Sequence, residues 1–179
     1  MKPKRKINNT GGRVRRLSGS PRSNKAGKSP TATTLLPKDF ADFLKLLNSH
    51  RVEYLLIGGY AVCYHGYYRN TNDIDFWVAV SPKNAAKLVK VIKEFGFDVP
   101  MLSEKLFLNT GRIVRMGIEP NRIEILTEVS ACDFAQCFSR RQTGIINGIA
   151  VNLISLPDLK INKKASGRHK DLADLDNLP

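Results

Sequence analysis

The feature that most constrains this chain is a glycine pair separated by thirteen residues from an acidic triplet. The pair opens the run Gly58-Gly59-Tyr60-Ala61-Val62, directly after the largely apolar residues 52–57, and the triplet is Asp73-Ile74-Asp75. Glycines at the end of a strand let the backbone approach an anion closely, and a helix that begins there directs free N–H groups at phosphate. The pattern therefore predicts a buried strand, a phosphate-binding turn and a short helix over 60–65.

The two acids of the triplet predict a metal site. Residues at i and i+2 of a strand share one face, about 7 Å apart along it. Asp73 and Asp75 thus suit two Mg²⁺ ions about 3.5–4 Å apart, the arrangement used for in-line displacement at phosphorus. The alternative is a turn aspartate followed by an ordinary strand charge. The metal interpretation is favoured because Asp75 interrupts an apolar run, where an unpaired carboxylate is costly.

A two-metal site needs a third carboxylate, and the candidate is Glu124 in Arg122-Ile123-Glu124-Ile125-Leu126. It would bind the second metal and accept the proton of the attacking hydroxyl. The alternative is that Glu124 faces solvent on an edge strand, together with Arg122. Just before the acids lies Arg69, which is either a bidentate ligand of triphosphate oxygens or a surface loop arginine.

The C-terminal stretch 162–175 is dense in cations and then becomes amphipathic. Lys163, Arg168 and Lys170 could reach a triphosphate or an acceptor. Alternatively, the stretch is a solvated helix in which Asp171 and Asp174 pair locally. Spacing alone does not decide between the two.

Hydrophobic periodicity and turn residues predict the remaining elements. Asp39 is expected to cap the first helix, and Ser81-Pro82 to begin a helix over 82–95 that buries Ala86, Leu88, Val89, Ile92 and Phe95. Asn147-Gly148 predicts a hairpin. The other predicted strands are 74–80, 112–118, 122–127, 143–146 and 149–154, and the other predicted helices are 131–139, 157–165 and 168–176.

The basic residues are unevenly distributed. The 179-residue chain has a net charge of +13, yet residues 1–38 hold eleven Lys/Arg and no acid, against eighteen Lys/Arg and sixteen acids in the rest. Residues 1–36 have few large apolar side chains to offset the entropy of ordering. We predict a disordered basic tail over 1–36 and one domain over 37–179. The tail is either an arm that contacts nucleic-acid phosphates or a solvated extension.

No stretch approaches about 18 apolar residues, and no apolar segment follows the basic tail, so we expect neither a membrane helix nor a secretory signal. The odd number of cysteines, three, then indicates reduced thiols. We therefore expect a cytoplasmic protein with no membrane partner.

Taken together, these motifs resemble the DNA polymerase β-like nucleotidyltransferase superfamily. More narrowly, the chain is similar to a small bacterial branch that includes abortive-infection type toxins. The resemblance covers residues 40–177. It is carried by Gly58–Val62, His65-Gly66, Arg69-x-Thr71-x-Asp73-Ile74-Asp75, Glu124 and the stretch 162–175.

The resemblance implies an α+β fold, with a mixed sheet flanked by helices. It also implies that Gly58 and Gly59 cradle the triphosphate of an NTP substrate. The residues it implies as ligands of two Mg²⁺ ions are Asp73, Asp75 and Glu124, and those on the nucleotide side are Lys163, Arg168 and Asp171. One departure is Glu124, because the third carboxylate of the superfamily is usually Asp.

Two classes of function follow. The first is a nucleotidyltransferase that moves a nucleoside monophosphate from NTP to an RNA 3′ end or a protein hydroxyl, within a toxin–antitoxin system. The second is a nucleotide- or RNA-binding module of the same fold without turnover. The 179-residue chain is short compared with the toxins of this branch, which carry extra helical domains. Acceptor recognition is therefore expected to depend on the tail or on a partner such as an antitoxin.

Overall fold

The structure is a computed structural model that describes residues 36–179. The basic tail that we predict to be disordered comprises residues 1–36, and all of these except Leu36 lie outside this range. The helices are α1 (Lys38–Ser49), α2 (Gly58–Tyr64), α3 (Pro82–Glu94), α4 (Phe134–Ser139), α5 (Leu156–Ser166) and α6 (His169–Asn177), with a 3₁₀ turn at Glu104–Phe107. The strands are β1 (Tyr54–Ile57), β2 (Asp73–Val78), β3 (Ile113–Met116), β4 (Arg122–Leu126), β5 (Gln142–Ile146) and β6 (Ile149–Leu153).

The six strands form one mixed sheet in the order β3-β4-β2-β1-β6-β5. The β1–β2, β3–β4 and β5–β6 pairs are antiparallel, whereas β2–β4 and β1–β6 are parallel. The expected α+β fold with a mixed sheet and helices is confirmed. The predicted Asn147-Gly148 hairpin is present between β5 and β6, and it turns through these residues at φ values of +50° and +74°, as a type I′ turn requires.

Strand register brings distant parts of the chain together at the centre of the sheet. Asp75 of β2 lies opposite Ile57, the last residue of β1, and on its other side opposite Glu124 of β4. Since neighbouring strands lie about 4.8 Å apart, this register places both acids beside the glycine pair that follows Ile57. Asp73 lies opposite Arg122 in the same way.

The two faces of the sheet pack against different helices. Ile74, Phe76 and Val78 of β2 join the larger core, which also contains apolar residues of α1 and α3. Trp77 joins a second core with Val129, Leu159 and part of α4. Because side chains alternate along a strand, Asp73 and Asp75 share the face of Trp77. The polar site therefore lies at one end of the second core.

Three local predictions are wrong. Pro37, not Asp39, is the N-cap residue of α1, so Asp39 adds only a first-turn charge there. Helix α2 begins at Gly58 rather than at Tyr60, so the glycine pair is its first turn. In α3 the predicted Leu88 and Ile92 are buried, and Val89 and Phe95 pack against the core while partly exposed, but Ala85 is buried in place of Ala86, and Val91 is buried although the spacing does not predict it.

The Ser81 cap is confirmed, because its side chain accepts a hydrogen bond from the backbone N–H of Asn84. The cysteines are free thiols, as predicted. None of the helices within residues 36–179 is long and apolar enough to cross a membrane.

Candidate active site

A cavity of about 740 Å³ lies between the ends of β1, β2 and β4 and helix α5. All nine residues that the sequence predicts for the site line it: Gly58, Gly59, Arg69, Asp73, Asp75, Glu124, Lys163, Arg168 and Asp171. They come from five separate segments of the chain. The fold therefore gathers the whole predicted set around one space, with acids along the strands and cations along α5 and the turn after it.

The glycine pair is packed tightly against site side chains. Gly58 has a φ of +64°, and a Cβ atom there would lie 1.9 Å from Oδ2 of Asp75. A Cβ atom at Gly59 would lie 2.3 Å from the Thr71 hydroxyl oxygen and 3.2 Å from Nη1 of Arg69. Only glycine fits at either position. The sequence predicts the pair as a cradle for phosphate, and the structure adds that Gly58 makes room for the Asp75 carboxylate.

Of the three candidate metal-binding acids, Asp75 has no polar partner in the part of the chain that the structure describes. Within residues 36–179 its carboxylate accepts no hydrogen bond and forms no salt bridge. Burial and the negative charges of Asp73 and Glu124 raise its pKa to about 7, although the charges of Lys163 and Arg168 oppose the shift. The Asp75 carboxylate is thus a negative charge with no direct counter-charge among the described residues, and a bound cation would supply one.

The other two acids are partnered by guanidinium groups. Asp73 accepts hydrogen bonds from the Thr71 hydroxyl at 3.1 Å and from Nη2 of Arg122 at 3.3 Å. One oxygen of Glu124 lies 3.0 Å from Nε of Arg115 and 3.0 Å from Nε of Arg122. Glu124 is 8% exposed on an inner strand. The alternative that it faces solvent on an edge strand is therefore wrong.

The acidic side fits a magnesium ion in its chemistry. Carboxylate oxygens are the ligands that Mg²⁺ prefers, and Asp75 presents such oxygens without competing partners. Within residues 36–179, however, no three His, Cys, Asp or Glu side chains already form a metal-binding group. Asp73 and Asp75 are the residues best placed to hold the ion, with Glu124 beside them.

The opposite wall is an ion-pair cluster, by which we mean Arg69, Lys163, Arg168, Asp171 and Asp174. The Lys163 ammonium lies 2.6 Å from Asp171 and 2.8 Å from Asp174. Arg69 donates hydrogen bonds to the Asp174 carboxylate from Nε at 2.6 Å and from Nη2 at 2.9 Å. Arg168 donates from Nε to Asp171 at 2.6 Å. Each charge is thus matched by at least one opposite charge.

A short turn between α5 and α6 creates this cluster. Gly167 ends α5 with a φ of +64°, a left-handed conformation that glycine adopts readily. Helix α6 then begins at His169 and folds back, so that Asp171 and Asp174, three residues apart, present one face to Lys163. The cluster thereby fixes α6 and the loop that carries Arg69 against α5.

Burial and pairing within the ion-pair cluster decide between the alternatives for Asp171, Asp174 and Arg69. Asp171 and Asp174 are 1% and 0% exposed, so the alternative of a solvated helix is wrong. Burial acts to raise the pKa of Asp171, but hydrogen bonds from Arg168 and Lys163 outweigh it and lower the pKa to about 2. Arg69 is not a free surface arginine, because its guanidinium donates two hydrogen bonds to the Asp174 carboxylate. Sequence reasoning missed Asp174 as a site residue, although its spacing from Asp171 was a usable signal.

The arrangement suits a substrate that carries phosphates. Acids capable of holding a divalent cation face one side of the cavity, and the side chains of Arg168 and Lys170 line the other. A nucleoside triphosphate bound with a metal requires both kinds of group.

Comparisons with known proteins agree with this chemistry. No curated protein matches the chain. The model of one family, described as nucleotidyltransferase of unknown function (DUF6036), matches residues 38–178, which is nearly all of the part that the structure describes. The chain therefore belongs to this nucleotidyltransferase family.

Proposed function

We propose that the protein is a Mg²⁺-dependent nucleotidyltransferase that moves a nucleoside monophosphate from NTP to a hydroxyl acceptor, an RNA 3′ end or a protein side chain. The observation that carries the proposal is the Asp75 carboxylate. It lies against Gly58 without a hydrogen bond or salt bridge in the described residues, and between two other acids. An unpaired, half-buried acid is costly for a structural role and useful for binding a cation.

In this proposal the acceptor hydroxyl attacks the α-phosphorus of the NTP. The new O–P bond forms as the bond to the β-phosphate breaks, and its electron pair leaves with pyrophosphate. Asp73 and Asp75, with Glu124 alongside, would hold the Mg²⁺, which would neutralise phosphate charge when bound. Glu124 accepts the proton of the hydroxyl. Most of the rate enhancement comes from positioning and charge stabilisation.

The other residues hold the nucleotide or organise the wall around it. Gly58 and Gly59 permit close approach of the triphosphate, and Arg168, whose side chain is 76% exposed, contributes a guanidinium that can reach it. Lys163 and Asp171 are buried and paired with each other. We propose that they act mainly by holding α5 and Arg168 in place, and that Arg69 does the same through Asp174.

We further propose that the fold is the polymerase β-like nucleotidyltransferase fold, over residues 37–179, and that the protein is the toxin-related half of a toxin–antitoxin system. The supporting observations are the glycine pair with the acidic triplet and the closing stretch 162–175. The basic tail or an antitoxin-like partner would complete acceptor recognition. All of these reactants are found in the cytoplasm.

Labelling by radioactive NTPs tests the proposal. The protein is incubated with each α-labelled NTP, Mg²⁺ and a cell extract, and the labelled RNA and protein are separated. Asp75→Asn is expected to lower labelling by roughly a hundredfold or more. The matched control is Asp176→Asn, which removes an exposed charge from α6 and should label normally. Undiminished labelling by Asp75→Asn contradicts the mechanism.

A second function, nucleotide or RNA binding without turnover, has one observation in its favour. Arg115 and Arg122 both hold the same oxygen of Glu124, the residue that would accept the proton. If the wild-type protein binds NTP in equilibrium dialysis but labels no more than Asp75→Asn, this second function replaces the first.

A further inference from the structure

Arg122 contacts three carboxylates beside the cavity. It is the first residue of β4 and lies opposite Asp73 in the sheet. Its Nη1 atom is 2.8 Å from Glu119, its Nη2 atom is 3.3 Å from Asp73, and its Nε atom is 3.0 Å from Glu124. One guanidinium therefore bridges two of the three acids proposed to hold the metal.

The contacts of Arg122 with the site acids are its poorer ones. The 3.3 Å distance to Asp73 is long for a charge-assisted hydrogen bond, which is typically about 2.7–2.9 Å. The Nε atom is within ion-pair distance of Glu124 but lacks hydrogen-bond geometry. That buried N–H has no hydrogen-bond partner in the part of the chain that the structure describes. Glu119, which is not one of the three acids proposed to hold the metal, forms the shortest contact with Arg122, at 2.8 Å.

We propose that Arg122 is a built-in counter-cation that competes with divalent metal for Asp73 and Glu124 and thereby sets the metal affinity of the site. This inference rests on the proposed function. A guanidinium and a metal ion that hold the same carboxylates repel each other, so each weakens the binding of the other. Arginine stays charged at every physiological pH, so the competition is permanent. Its imperfect geometry at Asp73 and Glu124 makes Arg122 displaceable.

The role of Arg122 is one of positioning and charge. When a metal ion displaces Arg122 from Asp73 and Glu124, its guanidinium still contacts Glu119. The N–H groups released in this way lie beside the cavity, where a phosphate oxygen can accept hydrogen bonds from them. Metal binding and nucleotide binding would then favour each other, because the first releases a donor for the second. Arg115 offers a natural comparison, since within residues 36–179 its salt bridge is to Glu124 alone and its side chain is 55% exposed.

Titration with Mn²⁺, followed by the electron paramagnetic resonance signal of the free ion, tests the inference without an activity assay. Arg122→Gln is expected to bind Mn²⁺ roughly three- to tenfold more tightly than the wild-type protein. Arg115→Gln should tighten binding less, by about twofold, because only one exposed pair is lost. Glu119→Gln should weaken binding about twofold, because Arg122 then depends on Asp73 and Glu124 alone.

Fluorescence of Trp77, the single tryptophan and 2% exposed in the second core, verifies that each variant is folded. Unchanged or weaker Mn²⁺ binding by Arg122→Gln overturns the inference. If Arg122→Gln does not fold, Glu119→Gln provides the test. Unchanged or tighter Mn²⁺ binding by Glu119→Gln then overturns the inference. Tight binding by the wild-type protein with no effect of Arg122→Gln overturns this inference alone. Absence of binding by every variant overturns the metal dependence of the proposed function as well.

Discussion

The two walls of the cavity contain similar charged residues, but the pKa values of their aspartates are shifted in opposite directions. On the strand side, burial and the nearby charges of Asp73 and Glu124 raise the pKa of Asp75 to about 7. On the helix side, Asp171 has two cations within 2.6 Å, and its pKa is lowered to about 2. Every charged side chain of the ion-pair cluster on the helix wall is paired with an opposite charge and stabilises the fold, whereas Asp75 on the strand wall has no such pair within residues 36–179 and can be neutralised by a ligand. The pairing of charges, rather than the number of charged groups, distinguishes a binding surface from a structural cluster.

The largest expected effect comes from breaking the helix wall. Asp174→Asn removes the partner of Arg69 and one partner of Lys163, leaving buried positive charge uncompensated. We expect the free energy of unfolding at pH 7 to fall by about 3–5 kcal/mol, measured by urea denaturation. Asp176→Asn, on the exposed side of the same helix, should change it by less than about 0.5 kcal/mol. Equal effects of the two variants would contradict the proposed neutralisation.

A smaller loss is expected where the strand wall meets the glycine pair. Gly58→Ala places a Cβ atom into the Asp75 carboxylate at a φ of +64°, so both steric overlap and backbone strain oppose it. We expect a loss of about 2–4 kcal/mol in the free energy of unfolding. Gly148→Ala is the matched control, because its φ is +74° with no atom within 4 Å, and it should lose about 1 kcal/mol. A loss at Gly58 no greater than at Gly148 would show that Asp75 moves away freely.

The same Asp-to-Asn change on the strand wall should act in the opposite direction. The folded state keeps the Asp75 proton up to about pH 7, whereas the unfolded state releases it near pH 3.8. The folded state binds more protons between these values, so stability falls as pH rises from about 4 to 7. In EDTA at pH 8, Asp75→Asn should therefore raise the free energy of unfolding by about 1–3 kcal/mol. A destabilised variant would contradict the raised pKa.

Asp171 gives the converse pH dependence. Its folded pKa of about 2 lies below the ordinary value of 3.8, so its stabilising contribution is present above about pH 4 and is lost as pH falls toward 2. Denaturation curves of Asp171→Asn and Asp75→Asn should therefore both lie closest to wild type near pH 3 and diverge from it toward pH 8, with Asp171→Asn less stable and Asp75→Asn more stable than wild type.

The smallest effect is the response to metal. At pH 8, millimolar Mg²⁺ should raise the Tm of the wild-type protein by about 2–8 °C, because the ion binds the folded state alone. Differential scanning fluorimetry in Mg²⁺ and in EDTA measures the shift. Asp75→Asn should abolish it and Asp176→Asn should retain it. A shift that survives Asp75→Asn would place the ion elsewhere.

Much of the fold could be predicted from local sequence. The apolar run before Gly58, the Ser81 cap and the Asn147-Gly148 turn each specify an element through neighbouring residues, and each is present. Predictions failed where a choice depended on packing. The buried face of α3 includes Ala85 rather than Ala86, and Val91 in addition to the predicted residues, because the position of α3 on the sheet, which periodicity does not define, determines which side chains are covered.

The candidate site was predictable as a set of residues but not as a set of contacts. The sequence by itself determined which carboxylates and glycines are available, because a phosphate and metal site needs those residue types at short spacing. Tertiary structure alone decided their charge state. Arg69 meets Asp174 across 105 positions, and Arg122 meets Asp73 across 49. Coulombic interactions depend on distance in space and on burial, so only the folded sheet and the α5–α6 turn decide that the helix wall is neutralised and that Asp75 is left for a ligand.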